Sequence, residues 1–399
     1  MRDLAAYDQD QAIEAAFDLW QRNPFAKRII EIGVDFVCGE GMKPQCAHPD
    51  VQAVCDAHWA ANQWDLMLPK RVRELSLFGE MLLEVFVNTG NGEVQVGGID
   101  PACIDAIICD EGNVERKVGI RLKENADGQK RVLRIIEFEG DELPPEIRAV
   151  PTQEGDAFAI GAAWLDWGKF RGVAAKEKKG GGQRIAEVEK AAEIKPDGLC
   201  FFWPVNDIST GLRGRPDLLA LLDWLDMYDQ LAFDLTERAS LISSFIYQVK
   251  LHGATPEQVA KRAKEISKTP TPGSAIVTND KEEWLPITPN LGAQDVDQFI
   301  RVLRILIAGG SGYPESWFGV GSETNRATLE GQNTPTLKTL SARQRYVKNI
   351  LLAELRFVVA QAVYHNQLPA ELPVLDDEGD PALDDESAPI MQSAVSAVD

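Results

Sequence analysis

Nowhere in its 399 residues does the chain hold the run of about 20 apolar residues that a membrane span requires. Its first residues, Met1-Arg-Asp-Leu-Ala, have no apolar core of the kind that marks a secretory signal, so a cytoplasmic protein away from membranes is expected. The pattern G-x-x-x-x-G-K-[ST] is absent, and with it the usual cradle for nucleotide phosphates. H-E-x-x-H, G-x-S-x-G and a strand-linked G-x-G-x-x-G are missing too, which removes the common zinc protease, hydrolase and dinucleotide sites. No set of catalytic side chains stands out, so neither an enzyme nor a cofactor is expected.

Positive charge is scarce as well. There are 41 Lys and Arg against 62 Asp and Glu, a net charge of −21. A protein that grips a DNA backbone presents a basic stripe, whereas this chain repels DNA on average. Part of the deficit is local. From His365 to Asp399 there is no Lys or Arg, while Asp376-Asp-Glu378, Asp380 and Asp384-Asp-Glu386 crowd together. This Pro-rich, acidic composition predicts a mobile tail over residues 367–399.

Histidine occurs four times and cysteine six. Without a signal sequence, the cysteines are expected as thiols rather than as a disulfide framework. Cys46-x-His48 and Cys55-x-x-His58, with Cys38 before them, are zinc-ligand types at short spacing. They do not form a standard finger. Plain thiols are the expected reading, with Cys46, His48, Cys55 and His58 as the one metal candidate.

What the chain does have is periodicity. Residues 8–37 read as two helices divided at Asn23-Pro24, followed by helices from Pro49 to Trp64 and from Pro69 to Phe78. At Gly79 the texture turns to strands: Glu80 to Val87, Val94 to Ile99, Ile104 to Cys109, Val118 to Lys123, Val132 to Phe138 and Gly198 to Trp203. Gly90-Asn-Gly92 is a hairpin signal. Residues 140–155 read as a Pro- and acid-rich loop, and Lys176 to Gly182 as a flexible one.

The segment Gly211-Leu-Arg-Gly-Arg-Pro216 reads as a turn, with Pro216 placed where a helix can start. From Asp217 to Phe245 there is no Pro or Gly, and apolar residues recur near the 3.6-residue period. A second such run spans Asp295 to Ile307. Between them lies a small insert. It holds a strand from Ile246 to Leu251 and a helix started by Thr255-Pro-Glu-Gln258 as a capping box. A closing hairpin of Ser274 to Thr278 and Glu283 to Ile287 is expected after it. Gly309-Gly-Ser-Gly312 reads as a hinge before a last long helix. Basic residues cluster at Lys261, Arg262, Lys264 and Lys268 on the insert helix, and at Arg301 and Arg304 three apart on the second run.

This order of elements resembles the portal proteins of tailed bacteriophages and prophages. The resemblance rests on Asn23-Pro-Phe-Ala-Lys-Arg-Ile-Ile to Gly41, Gly211-Leu-Arg-Gly-Arg-Pro-Asp217, Ile307 to Gly319 and Asn325-Arg-Ala-Thr-Leu-Glu330. It implies an α+β wing over 1–215, stem helices over 216–245 and 292–308, and a small α/β clip over 246–291. It further implies a hinge and tunnel loop over 309–326 and a long wing and crown helix over 327–366. The implied assembly is a ring, usually a dodecamer, at one capsid vertex of the virion, put together in the host cytoplasm. Double-stranded DNA would pass through it during packaging and ejection.

The implied partners are the terminase large subunit, the major capsid protein and scaffold, and a head-completion or adaptor protein. Lys261, Arg262, Lys264 and Lys268 would then face the terminase. Arg301, Arg304, Ser322, Glu323, Asn325 and Arg326 would line the channel, where acidic walls with a few arginine rings let DNA slide. Two alternatives remain open at this stage: another ring-forming head–tail adaptor or scaffold, and a metal-dependent enzyme of nucleic-acid metabolism.

Overall fold

In a computed structural model, Asn23 ends one helix, α1 (Gln9–Arg22), and caps the next, α2 (Pro24–Cys38). Its side chain accepts a 2.8 Å hydrogen bond from the Ala26 N–H, and Pro24 fills the first helical position, where no N–H is needed. The structure describes residues 8–125, 128–137, 170–177, 185–189, 192–243, 246–266, 280–287, 293–319, 326–376, 379–383 and 388–398. The chain divides into two compact units, one of residues 1–223 with 307–399 and one of residues 224–306.

In the first unit, α3 (Pro49–Ala61) and α4 (Trp64–Phe78) follow α2. Helix α2 buries Ile29, Ile30, Ile32, Val34 and Val37. Arg73 of α4 clasps Glu31 of α2 through two hydrogen bonds of 2.8 and 2.7 Å. This hydrogen bonding holds the Glu31 carboxyl below its ordinary value of 4.5. A carboxylate depressed in this way stabilises the fold above pH 4.5, and the contribution is lost as pH falls through the lower folded value. Urea unfolding at neutral and acid pH should therefore show Glu31→Gln costing up to about 1 kcal/mol at pH 7 and progressively less as the pH falls below 4.5.

The strands form one mixed sheet from β1 (Glu80–Val87), β2 (Val94–Ile99), β3 (Ile104–Cys109), β4 (Lys117–Leu122), β5 (Val132–Ile135), β6 (Phe170–Glu177), β7 (Ile185–Val188), β8 (Ala192–Ile194) and β9 (Gly198–Pro204). The order is β2-β1-β9-β5-β4-β3-β6-β7, with β8 also on β6. Every pairing is antiparallel except β5 with β9. Strand β1 is buried on both faces, which its near-continuous apolar sequence anticipates. Leu82, paired with Phe202, joins the cluster of Ile107, Ile120, Leu133 and Cys200. Phe201 meets Phe357 edge-on at 5.8 Å between ring centres. The latter belongs to α8 (Arg326–Tyr364).

The second unit holds most of α5 (Leu222–Ser243), then β10 (Ile246–Leu251), α6 (Pro256–Glu265), β11 (Glu282–Ile287) and most of α7 (Ala293–Ser311). Thr255 and Gln258 close a capping box on α6, as their spacing predicts. Strand β11 pairs antiparallel with β10, Val249 opposite Trp284. The other half of the expected hairpin, Ser274 to Thr278, lies outside the described residues. So do residues 140–155 and most of the Lys176 to Gly182 loop, whose first two residues belong to β6.

Three expectations need correcting. Helix α5 starts at Leu222 rather than Pro216, because Asp217 donates its N–H to Ser76 O at 2.9 Å and a 3₁₀ turn over Leu219–Leu221 intervenes. Gly309 and Gly310 do not form a hinge. Helix α7 continues through them and stops at Gly312, whose φ of +76° suits glycine. A Cβ at Gly310 would lie 2.6 Å from Leu221 Cδ2, so the missing side chain there serves close packing.

The third correction concerns the tail. After α8, β12 (Glu371–Pro373) pairs with β13 (Met391–Ser393), and Val398 forms a bridge with Cys46. Ala394, Val395, Ala397 and Val398 complete a core with Val51, Cys55, Leu355 and Val359. The acidic composition of 376–386 masked this return, because the anchoring residues come after it.

Candidate functional site

The turn from Gly211 to Asp217 becomes a buried ionic hub. Glu80 and Glu84 alternate with Leu82 on one face of β1, so both carboxylates enter a largely apolar layer. Each is met by an arginine, Glu84 by Arg131 and Glu80 by Arg213. Glu80 is 0% exposed and Arg213 8%. Arg213 Nε donates to Glu80 Oε1 and Oε2 at 2.9 and 3.0 Å, and Nη2 donates to Pro101 O at 2.9 Å. Gly214 adds its N–H to Glu80 Oε2 at 3.2 Å.

The backbone is as tight as the ion pair. A Cβ on Gly214 would lie 1.8 Å from Gly79 O, and one on Gly79 would lie 2.1 Å from the Arg215 carbonyl carbon. Two residues on, Asp217 Oδ1 accepts from Asn206 Nδ2 at 2.6 Å and from Arg343 Nη2 of α8 at 2.8 Å. A cavity of about 530 Å³ opens beside them, lined by Ile29, Gly33, Val37, Asp217, Tyr313 and Arg343 among others. Burial pushes the Tyr313 hydroxyl up to about 12, so at neutral pH it keeps its proton. The hub joins β1, the turn and α8. It offers structure rather than a nucleophile, and the sequence signal for it was arginine between two glycines.

The two most exposed aromatic side chains among the described residues, Phe233 and Phe299, lie on the helices of the other unit. Along α7, Phe299 is 66% exposed, and Val302, Ile305 and Leu306 are exposed with it. At about 100° per residue, Arg301 and Arg304 fall on the side away from Phe299 and Leu306. Arg301 is exposed and Arg304 half-buried. On α5, Phe233 is 75% exposed and Met227 49%.

The clustered basic residues of α6 divide. Lys261 and Lys264 are exposed. Arg262 is tied to β11 by hydrogen bonds to both Glu282 oxygens, at 3.2 and 3.1 Å, and to Glu265 Oε2 at 3.1 Å. That clasp holds the Glu282 carboxyl below its ordinary range. Lys268 lies outside the described residues, as do Ser322, Glu323 and Asn325. Arg326 is the first residue of α8.

The Cys/His candidates also separate. His48 caps α3 by accepting the Asp50 N–H at 3.2 Å. His58 is buried between Val94 O at 3.1 Å and Glu354 Oε1 at 2.7 Å, and Trp64 Nε1 donates to the same Glu354 oxygen at 3.0 Å. Only Cys46 and Cys55 meet each other, sulfur to sulfur at 3.5 Å. Among the described residues no group of three or more His, Cys, Asp or Glu side chains is placed to hold a metal ion.

No protein-family model and no curated protein matches the chain. Solved structures do. A chain from the neck of an empty gene transfer agent particle, computed with C6 symmetry, is 12% identical with a TM-score of 0.50, covering 91% of this chain and 83% of that one. The likeness is one of fold. A chain from the virion of a native gene transfer agent particle is 11% identical with a TM-score of 0.49, covering 92% and 84%. One from the neck of the native particle, computed with C12 symmetry, is 13% identical with a TM-score of 0.46, covering 91% and 82%. This chain's fold is α+β, with eight helices and a large mixed sheet among the described residues.

Proposed function

We propose that this chain is the portal subunit of a phage-like particle. About a dozen copies close into a ring at one capsid vertex, and double-stranded DNA enters and leaves through the centre. The observation that carries this reading is the exposed apolar flank of α7. Phe299, Val302, Ile305 and Leu306 stand in solvent on a helix whose other sides carry Arg301 and Arg304. Contiguous exposed apolar surface marks an interaction face, and a patch repeated on every copy is covered most economically in a closed symmetric assembly. The fold likeness to a particle-neck chain supports the same reading.

In this scheme residues 1–215 and 327–366 are the wing and crown. Residues 222–245 and 292–311 are the stem, 246–291 the clip and 312–326 the tunnel loop. Arg301, Arg304 and Arg326, repeated around the ring, guide phosphates weakly enough to permit sliding. Lys261, Lys264 and Lys268 face the terminase, which supplies the packaging energy, since the portal itself hydrolyses nothing. The ring also meets the major capsid protein and a head-completion protein.

Class-averaged electron micrographs of the purified protein should show rings with a central channel. Phe299→Glu combined with Val302→Glu should leave monomers by light scattering while the far-ultraviolet circular dichroism stays that of the parent. A parent that remains monomeric at micromolar concentration overturns the ring. Rings that assemble but never occupy the DNA-entry vertex of filled particles favour a head–tail adaptor instead.

A further inference from the structure

Cys46 and Cys55 meet sulfur to sulfur. The two histidines that share their stretch of sequence are engaged elsewhere, and no third metal-type ligand joins the pair among the described residues. The sulfurs sit 3.5 Å apart, both as free thiols. Cys55 projects from α3 into the core that holds Val51, Leu355 and Val398 and is fully buried, whereas Cys46 is half-exposed on the segment before α3.

That segment is already held in place. Cys46 donates its N–H to Gln52 Oε1 at 2.8 Å, and Gln52 Nε2 donates back to Pro44 O at 3.1 Å. Ala47 donates its N–H to Ala397 O at 3.0 Å, beside the bridge between Cys46 and Val398. A disulfide needs sulfurs about 2.05 Å apart, so the two must close by about 1.5 Å.

We infer that Cys46 and Cys55 form a built dithiol that small disulfide oxidants convert to an intramolecular disulfide in the folded protein. Cys46 acts first, since it is only partly buried whereas Cys55 is fully buried. The hydrogen bond to Cys46, together with burial, keeps the Cys55 thiol above its ordinary value and so protonated until its partner has reacted. The Cys46 thiolate attacks one sulfur of oxidised glutathione and expels one glutathione thiolate. Cys55 then gives its proton to solvent, attacks Cys46 Sγ and expels the second glutathione. Two protein thiols are oxidised and one glutathione disulfide is reduced.

The new bond ties α3 to the segment that carries the C-terminal bridge, and so rigidifies the stretch to which the end of the chain is hydrogen-bonded. On the portal reading, the conversion accompanies release from a reducing cytoplasm into an oxidising medium. The chemistry itself does not depend on that reading.

The test uses the full-length folded protein with oxidised glutathione, followed by peptide mapping and thiol counting after denaturation. The expected result is a Cys46–Cys55 linked peptide, loss of two thiols from six, and slower hydrogen exchange at the Ala47 amide. Formation should be at least about tenfold faster than in the chain unfolded in urea, because folding supplies the proximity. In Cys55→Ser, glutathione should remain on Cys46 as a stable mixed disulfide. Six surviving thiols, a persistent glutathione adduct on Cys46 of the parent, or a mixture of pairings no faster than in urea would each overturn the inference. None of these outcomes bears on whether the protein forms a ring.

Discussion

Arg213→Ala should destabilise the first unit by about 3–5 kcal/mol, the usual cost of leaving one member of a buried ion pair without its partner. Glu80 is 0% exposed and takes three hydrogen bonds from Arg213 together with one from the Gly214 amide. Without the guanidinium, the carboxylate must either take up a proton or admit water to an apolar layer. Chemical denaturation followed by tryptophan fluorescence reads the loss directly. The paired replacement Glu80→Leu with Arg213→Leu removes both charges and should recover much of it, since apolar groups of similar volume often substitute for a buried pair. If Arg213→Ala unfolds within about 0.5 kcal/mol of the parent, as a routine surface change would, the hub does not hold the sheet to the turn.

Deleting residues 394–399 should be at least as damaging. Val395 and Val398 are 6% and 0% exposed, and Ala394 and Ala397 lie beside them in the same cluster. Full burial of a valine contributes about 1.5–3 kcal/mol, so losing two removes roughly 3–6 kcal/mol and leaves Val51, Leu355 and Val359 facing solvent. The truncated protein should melt many degrees lower and bind a hydrophobic dye at room temperature. A mobile acidic tail, which the composition of 367–399 suggests, predicts no change at all. The experiment therefore separates the two descriptions without ambiguity of sign.

That contrast marks where the sequence was legible. Strands β1, β2 and β3 were readable to the residue, β1 as an apolar run entered at Gly79, β2 after the Gly90-Asn-Gly92 turn and β3 as a short apolar run after Pro101. The division of α1 from α2 followed from the local rule that proline imposes on Asn23. Strands β6, β7 and β8 escaped notice, for the Gly-rich stretch 180–182 read as a flexible loop from Lys176 on and the pairings of β6 are made with residues distant in sequence. The tail was misread because average composition hid four small apolar residues at its very end. In the functional regions, the arginines of α7 and the lysines of α6 were visible as spacing. That Arg262 is spent on Glu282 was not, since β11 lies 20 residues further along the chain. The Glu80–Arg213 pair spans 133 residues, and no periodicity reports such a separation.

The same separations govern the order in which the protein can fold on the ribosome. Strand β1 has β2 on one side at once, but its other neighbour is β9, with Val85 opposite Leu199. At roughly 5–20 residues per second, the partner emerges on the order of ten seconds later. For that interval a strand reading Glu-Met-Leu-Leu-Glu-Val-Phe-Val offers an open edge, the kind of template on which nascent chains associate. Glu80 is bare throughout, because Arg213 has yet to be made, and Glu84 is bare until Arg131 follows it 47 residues later. Two inward-pointing negative charges repel a second copy of the same strand, and they are neutralised only when the cations that complete the sheet arrive. The acids that complicate the finished core thus act as temporal guards during synthesis.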